Sequence, residues 1–237
     1  MTRGAKIGVA VAVVGGAAAV TGIVLAVMNR KNGGLLGRAG VTVKGRTSSG
    51  GRTLTHHRAR NLSIDKRVGL VQDTIWKSVQ DPQMRKLALQ ITAGCPARDG
   101  QCEARAIDAW MRKNIRYTGD IAPVKMGRNG PVEAIDLFQT ASFTAEVGGG
   151  DCDDAAVFGA TMLTLNGITS RLRVTSPNMV ANDWRHIYVV AGLPKERPSQ
   201  WIALDSTLPN AKFGDVAGHA KAVDFPVPGR KDSDHAA

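Results

Sequence analysis

Cys152, His186 and Asp205 are the residues of this chain whose types and settings could carry covalent chemistry. Cys152 lies in Gly148-Gly149-Gly150-Asp151-Cys152-Asp153-Asp154, directly before the apolar run at residues 155–165. That order predicts a thiol in the first turn of a buried helix. A helix N-terminus carries roughly half a positive charge, which favours thiolate over thiol and can lower a cysteine from its free pKa of about 8.5. A thiolate there is a nucleophile, and it calls for a base and a carboxylate to orient that base.

Both follow from folding the downstream chain as a hairpin. His186 opens the strand-like run at 186–192 and Asp205 closes a second at 200–205. Between them, Leu193-Pro194-Lys195-Glu196-Arg197-Pro198-Ser199 has the prolines, charges and serine of a loop. With the turn centred between Lys195 and Glu196, residues whose numbers add to 391 oppose each other, and His186 and Asp205 meet that sum. Opposed Cβ atoms lie about 5 Å apart, so the carboxylate can accept the imidazole N–H and fix its tautomer. The same register pairs Tyr188 with Ala203 and Val190 with Trp201; a slip by one would put His and Asp on opposite faces.

Asp151, Asp153 and Asp154 pull two ways. Carboxylates beside a thiolate raise its pKa, yet acids in a first turn stabilise the helix end. Asp-Cys-Asp-Asp lacks paired cysteine or histidine ligands at zinc spacing, so no metal is expected, and no cofactor either.

These residues resemble a known family. Gly150-Asp151-Cys152-Asp153-Asp154-Ala155, then Leu165-Asn166-Gly167-Ile168-Thr169-Ser170-Arg171, His186-Ile187-Tyr188-Val189 and Trp201-Ile202-Ala203-Leu204-Asp205-Ser206-Thr207 look like the transglutaminase-like cysteine enzymes, in their small bacterial and bacteriophage versions. Trp110-Met111-Arg112-Lys113-Asn114-Ile115-Arg116-Tyr117 resembles the helix before the core of that group. The likeness covers roughly residues 68–208. It implies a papain-like α+β core, with the nucleophile on a central helix packed on an antiparallel sheet that bears His and Asp. It makes Cys152 the nucleophile, His186 the general base and acid, and Asp205 the orienter. The implied reaction is acyl transfer through a thioester, the acceptor deciding between hydrolase and crosslinker. Gly150 would let backbone approach the substrate, with the Cys152 N–H as one oxyanion donor; Trp184, Gln139 and Asn182 are candidates for the second.

The elements that must hold these residues can be read from periodicity. Val71, Ile75, Val79, Leu87, Leu89 and Ile91, interrupted by Pro82, predict two helices or one broken helix over 68–92. Ala104, Ile107, Met111 and Ile115 mark another over 103–116, starting near Asp99 or Gln101; Trp76 and Trp110 should pack the core. The run 155–165, apolar all round, should stop at Asn166-Gly167. Residues 118–146 should wrap the cleft, with 136–140 a short packing helix that could line substrate.

The rest of the chain bears on location. Residues 7–28 are 22 in a row without charge, enough at about 1.5 Å each to cross a hydrocarbon core of about 30 Å. A shorter apolar stretch and small-residue cleavage site would mark a signal peptide, so an uncleaved single span is expected. The domain plan is therefore a short segment at 1–6, the span at 7–28, a flexible Gly/Ser/Thr-rich basic tether at 29–67, the catalytic domain at 68–231 and a frayed tail at 232–237. Residues 1–67 hold 12 Lys and Arg against one acid, whereas 68–237 hold 19 of each, so the whole net charge of +11 lies in anchor and tether.

Arg38, Lys44, Arg46, Arg52, Arg58 and Arg60 would attract anionic headgroups or nucleic acid phosphates, and their spacing does not choose. Charges after the span favour a cytoplasmic C-terminal domain, or in a virus an internal-membrane topology. Cys95 and Cys102 are close enough to bridge, but a cytoplasmic domain predicts them reduced.

The leading function is a membrane-anchored cysteine peptidase or amidase acting on a protein or peptide, as a phage or virion component. The alternatives are a non-catalytic structural protein joining membrane to capsid proteins or nucleic acid, and a lipid- or nucleic-acid-binding protein using the tether.

Overall fold

A computed structural model describes residues 41–45, 52–58, 63–118, 126–127, 130–131 and 135–227. The expected span at 7–28, the segment before it and the tail at 232–237 lie outside the described residues, as does most of the expected tether. Among the described residues no helix is long and apolar enough to cross a membrane.

The chain runs β1 (Val41–Gly45), β2 (Arg52–Arg58), α1 (Ile64–Val79), α2 (Pro82–Thr92), α3 (Gly100–Asn114), β3 (Arg116–Tyr117), β4 (Met126–Gly127), β5 (Gly130–Pro131), β6 (Ile135–Phe138) and α4 (Ala141–Val147). It continues with β7 (Gly149–Gly150), α5 (Cys152–Leu165), β8 (Ser170–Ser176), β9 (His186–Leu193), β10 (Gln200–Leu204) and β11 (Lys221–Pro226). Each helix starts at a side-chain cap: Ser63, Asp81, Asp99, Thr140 and Asp151 accept backbone N–H groups of their first turns. Pro82 opens α2, where its missing N–H costs nothing, so the interrupted pattern is two helices.

Helix α5 is the centre. Its residues from Asp154 to Leu163 are all buried, because α1, α2, α3 and α4 pack around it and β8 and β9 lie beneath it. Trp110 of α3 stacks on Phe158 of α5 with centroids 4.8 Å apart. The sheet is antiparallel, in the order β10-β9-β8-β11. Val189, Ala191, Leu172, Val174 and Leu204 join the helical core, while Tyr188, Val190 and Ala203 form a separate cluster under Trp201. The result is an α+β arrangement of a central helix on an antiparallel sheet, as expected from the sequence.

Four expectations are corrected. Residues 41–45 and 52–58, inside the expected tether, are strands in a second sheet of order β1-β2-β6, consistent with their β-branched Val41, Thr42, Val43, Thr53 and Thr55. Residues 136–138, expected as part of a short helix over 136–140, lie in β6, and the helix begins after the Thr140 cap. Cys95 and Cys102 are disulfide-bonded, joining the connection after α2 to the first turn of α3.

The fourth is the hairpin register. Gln200 pairs with Leu193, Trp201 with Gly192 and Ala203 with Val190, so opposed numbers add to 393 rather than 391. Ser199 N donates to the Leu193 carbonyl at 2.9 Å and closes the loop one residue further along. A shift of two keeps every side chain on its face, because the strand period is two.

Candidate functional site

Cys152 is the first residue of α5, held by a reciprocal cap. Asp151 Oδ1 accepts the N–H groups of Asp153 at 3.2 Å and Asp154 at 3.3 Å, and Asp154 Oδ2 accepts the Asp151 N–H at 3.3 Å. Asp154 Oδ1 also accepts the Gln139 N–H at 2.7 Å, which ties the segment after β6 to the start of α5. Upstream, Gly148 at φ 64° ends α4, and β7 runs parallel to β3. Gly150 permits a close approach: a Cβ there would sit 2.6 Å from the Asp154 Cβ. The carboxylates of Asp151, Asp153 and Asp154 offer oxygens within 4.8 Å of one another, but those of Asp151 and Asp154 already serve the helix start.

The thiol itself departs from the helix-terminus expectation. Cys152 is partly exposed and free. Burial of the sulfur, and then the carboxylates of Asp153 and Asp151, push its pKa well above the ordinary value. The backbone N–H groups of Ile187 and of Cys152 itself oppose them and lose. Desolvation first, and the first-turn acids after it, thus outweigh the backbone donors at the helix start, and the resting group is a thiol.

His186 opens β9, directly before the Ile187 N–H that lies near the sulfur. Its Nε2 meets Asp205 Oδ2 at 2.7 Å. The two are diagonal rather than opposed, since Leu204 pairs with Val189 and Asp205 is one residue past the ladder. Asp205 is 1% exposed. Burial would raise its pKa, but the hydrogen bond and charge of His186, with the Thr207 hydroxyl at 2.6 Å and N–H at 3.2 Å, hold it below the usual carboxylate value. An ionised Asp205 has no proton to give, so Nε2 carries the proton and Nδ1 is left for exchange. Among the described residues no hydrogen bond joins Cys152 Sγ to His186.

Tyr188, two residues along β9, packs its ring 5.5 Å from the imidazole. Trp184 precedes His186 in the β8–β9 loop, with Lys221 Nζ 4.4 Å over its ring. Asn182 is exposed, in a left-handed conformation at φ 58°. Gln139 uses its side-chain oxygen to accept from Thr144 Oγ1 at 3.4 Å.

Arg112 and Asp108 were missed. Their spacing of four on a helix was visible as an ion pair, but not that Arg112 Nη2 donates to the Asp205 carbonyl at 3.0 Å.

A family model described as the transglutaminase-like superfamily matches residues 85–206, just over half of the chain. No curated protein matches it. Among solved structures the chain is similar to a proposed protease from Parabacteroides distasonis, at 16% identity and TM-score 0.41, covering 58% of this chain and 26% of that one. It is similar to a proposed cysteine protease from Cytophaga hutchinsonii, at 17% and 0.40, covering 74% and 59%. It is also similar to a TGase, at 13% and 0.35, covering 68% and 37%. The chain spans less than two thirds of the length of each of these structures.

Proposed function

The chain belongs to the transglutaminase-like superfamily over residues 85–206, and from that premise we propose that it is a cysteine enzyme that cleaves or transfers an amide or isopeptide bond. The observation that carries this is the His186–Asp205 hydrogen bond at 2.7 Å, next in the chain to the N–H lying near the Cys152 sulfur. Cys152 Sγ attacks the carbonyl carbon and its proton passes to His186 Nδ1, Asp205 stabilising the imidazolium. The tetrahedral oxyanion collapses, the C–N bond breaks and His186 returns the proton to the departing amine. Water or a second amine, deprotonated by His186, then opens the thioester. Because the resting thiol is protonated, His186 must remove the proton during attack. Gly150, Gln139 and Trp184 are proposed to face the substrate.

Tyr117, 55% exposed beside Gly150, and Met179 and Val180, 72% and 62% exposed in the loop that ends at His186, supply apolar surface suited to a protein or peptide substrate. Attachment to a bilayer through residues 7–28, contacts of the basic stretch with anionic lipid or nucleic acid, and capsid proteins as partners in a virion are parts of the same proposal. The Cys95–Cys102 disulfide favours a particle or another oxidising setting over the cytoplasm suggested by the charge asymmetry.

The raised thiol pKa favours one rival, a structural protein that keeps the fold without turnover. Alkylation of the full chain by iodoacetamide at pH 7, with cleavage of a protein substrate such as casein, separates the two. An enzyme should alkylate at Cys152 at least about tenfold faster than His186→Ala does, because the imidazole takes the proton that the folded surroundings keep on the sulfur. It should also cut casein, or join amines to it, and Cys152→Ala should not. A Cys152 no faster than in His186→Ala, with no turnover, would overturn the enzyme reading.

A further inference from the structure

Asp205 is not held by the ladder that carries His186. The β9–β10 pairing ends at Leu204, and Asp205 is the first residue beyond it. Its backbone is held from α3 instead. Arg112 Nη2 donates to the carbonyls of Asp205 at 3.0 Å and Lys212 at 3.4 Å, and Nη1 to that of Leu208 at 3.4 Å. The guanidinium is anchored in turn, since Nε donates to Asp108 Oδ2 at 2.8 Å one helical turn back. Asp108 is 3% exposed and Met111, between the two, is fully buried, so the clamp is rooted in the core.

We propose that Arg112 is a positioning residue, clamping the segment after β10 so that the Asp205 carboxylate meets His186 Nε2. This rests on the proposed roles of Cys152, His186 and Asp205. The action is geometric. The interactions that hold the Asp205 carboxyl low come from His186 and Thr207. A planar fork with five donors can reach three carbonyls and a carboxylate at once, whereas an ammonium offers the charge at a single point. Without the fork, the first residue past the ladder is free to shift, and a displacement of about 1 Å in a catalytic constellation can cost roughly a hundredfold in rate.

The experiment uses the full chain with Arg112→Ala, Arg112→Lys, Asp205→Asn and the Arg112→Ala/Asp205→Asn double variant. Two quantities are read: the pH–rate profile of Cys152 alkylation by iodoacetamide, and the nitrogen-15 chemical shifts of the His186 ring, which report its tautomer. Wild type should show a proton fixed on Nε2. Arg112→Ala should mix the tautomers and slow alkylation on the order of tenfold or more, with partial rescue by Arg112→Lys. The double variant should react no more slowly than Asp205→Asn alone, since both changes remove one function.

A folded Arg112→Ala with wild-type tautomer and rate overturns the proposal, as does a double variant whose losses multiply. If Arg112→Ala does not fold, Arg112→Lys decides: unchanged tautomer and rate overturn the clamp, and a mixed tautomer with slower alkylation supports it. Should Asp205→Asn itself leave both readouts unchanged, the Cys-His-Asp reading falls and the clamp falls with it. That outcome is distinct from one in which Asp205→Asn acts and Arg112→Ala does not.

Discussion

Asp154→Ala should destabilise the protein by about 3 kcal/mol, because this one carboxylate closes the helix cap that sets Cys152 and ties it to the segment after β6. Asp154 is 2% exposed. Its Oδ1 accepts the Gln139 N–H at 2.7 Å and its Oδ2 the Asp151 N–H at 3.3 Å. A hydrogen bond to a charged group contributes about 1.5–3 kcal/mol, so the short bond accounts for about 2 kcal/mol and the long one for about 1. Alanine removes both. Asparagine keeps one carbonyl oxygen and turns its amide NH2, a donor, toward the other N–H, so Asp154→Asn should lose roughly half as much or somewhat more. For a domain of this size each kcal/mol moves Tm by about 2–4 °C, which predicts a drop of about 6–12 °C for alanine. Thermal unfolding of the full chain followed by circular dichroism at pH 7 reads it directly. A drop below about 3 °C for Asp154→Ala, or an Asp154→Asn that is no better than alanine, would refute the assignment of two separate acceptors.

Two further outcomes follow from charge and crosslinking. The Cys152 thiol titrates higher in the folded protein than its ordinary value of about 8.5, so the folded state keeps a proton that the unfolded chain releases. Its stabilising contribution is complete below about pH 8.5 and is lost as pH rises from there, at up to about 1.4 kcal/mol per unit. Urea unfolding between pH 8 and 9.5, below the range where Tyr188 adds a loss of the same sign, should show a slope that Cys152→Ala lacks; equal slopes would contradict the burial of the sulfur. Reducing Cys95–Cys102, which closes a loop of sequence separation 7, should lower stability by about 2 kcal/mol on the loop-entropy estimate. Melting with and without a phosphine reductant, compared with the Cys95→Ser/Cys102→Ser variant, checks this, and an unmoved Tm would contradict it.

Much of the fold was legible because it rests on local rules. The helix starts near Asp99 and at Cys152, the Pro82 break and the Asn166-Gly167 stop are short-range preferences that tertiary contacts reinforce. The apolar run of α5 could belong only to a helix surrounded on all sides. The strands at 41–45, 52–58 and 135–138 were not legible. The strands at 52–58 and 135–138 pair across some 80 residues, and the Thr, Arg and Gly in and around 41–58 read equally as linker.

The hairpin shows the boundary between the two kinds of information. Alternation along 186–193 and 200–204 put His186 and Asp205 on one face whatever the exact turn, because parity survives a shift of two. Sequence therefore determined which residues could meet: a thiol at the head of a buried helix, and a histidine and an aspartate on one side of a hairpin. Only the tertiary structure decided how they meet, because those terms depend on groups far apart in the chain. The loop closure set the diagonal register, and Arg112, from a helix more than 90 residues upstream, clamps the carbonyl of Asp205. Packing around Cys152, with Asp153 and Asp151 beside it, decided that the thiol keeps its proton at rest, since desolvation is a property of the folded surroundings and not of any short stretch of residues.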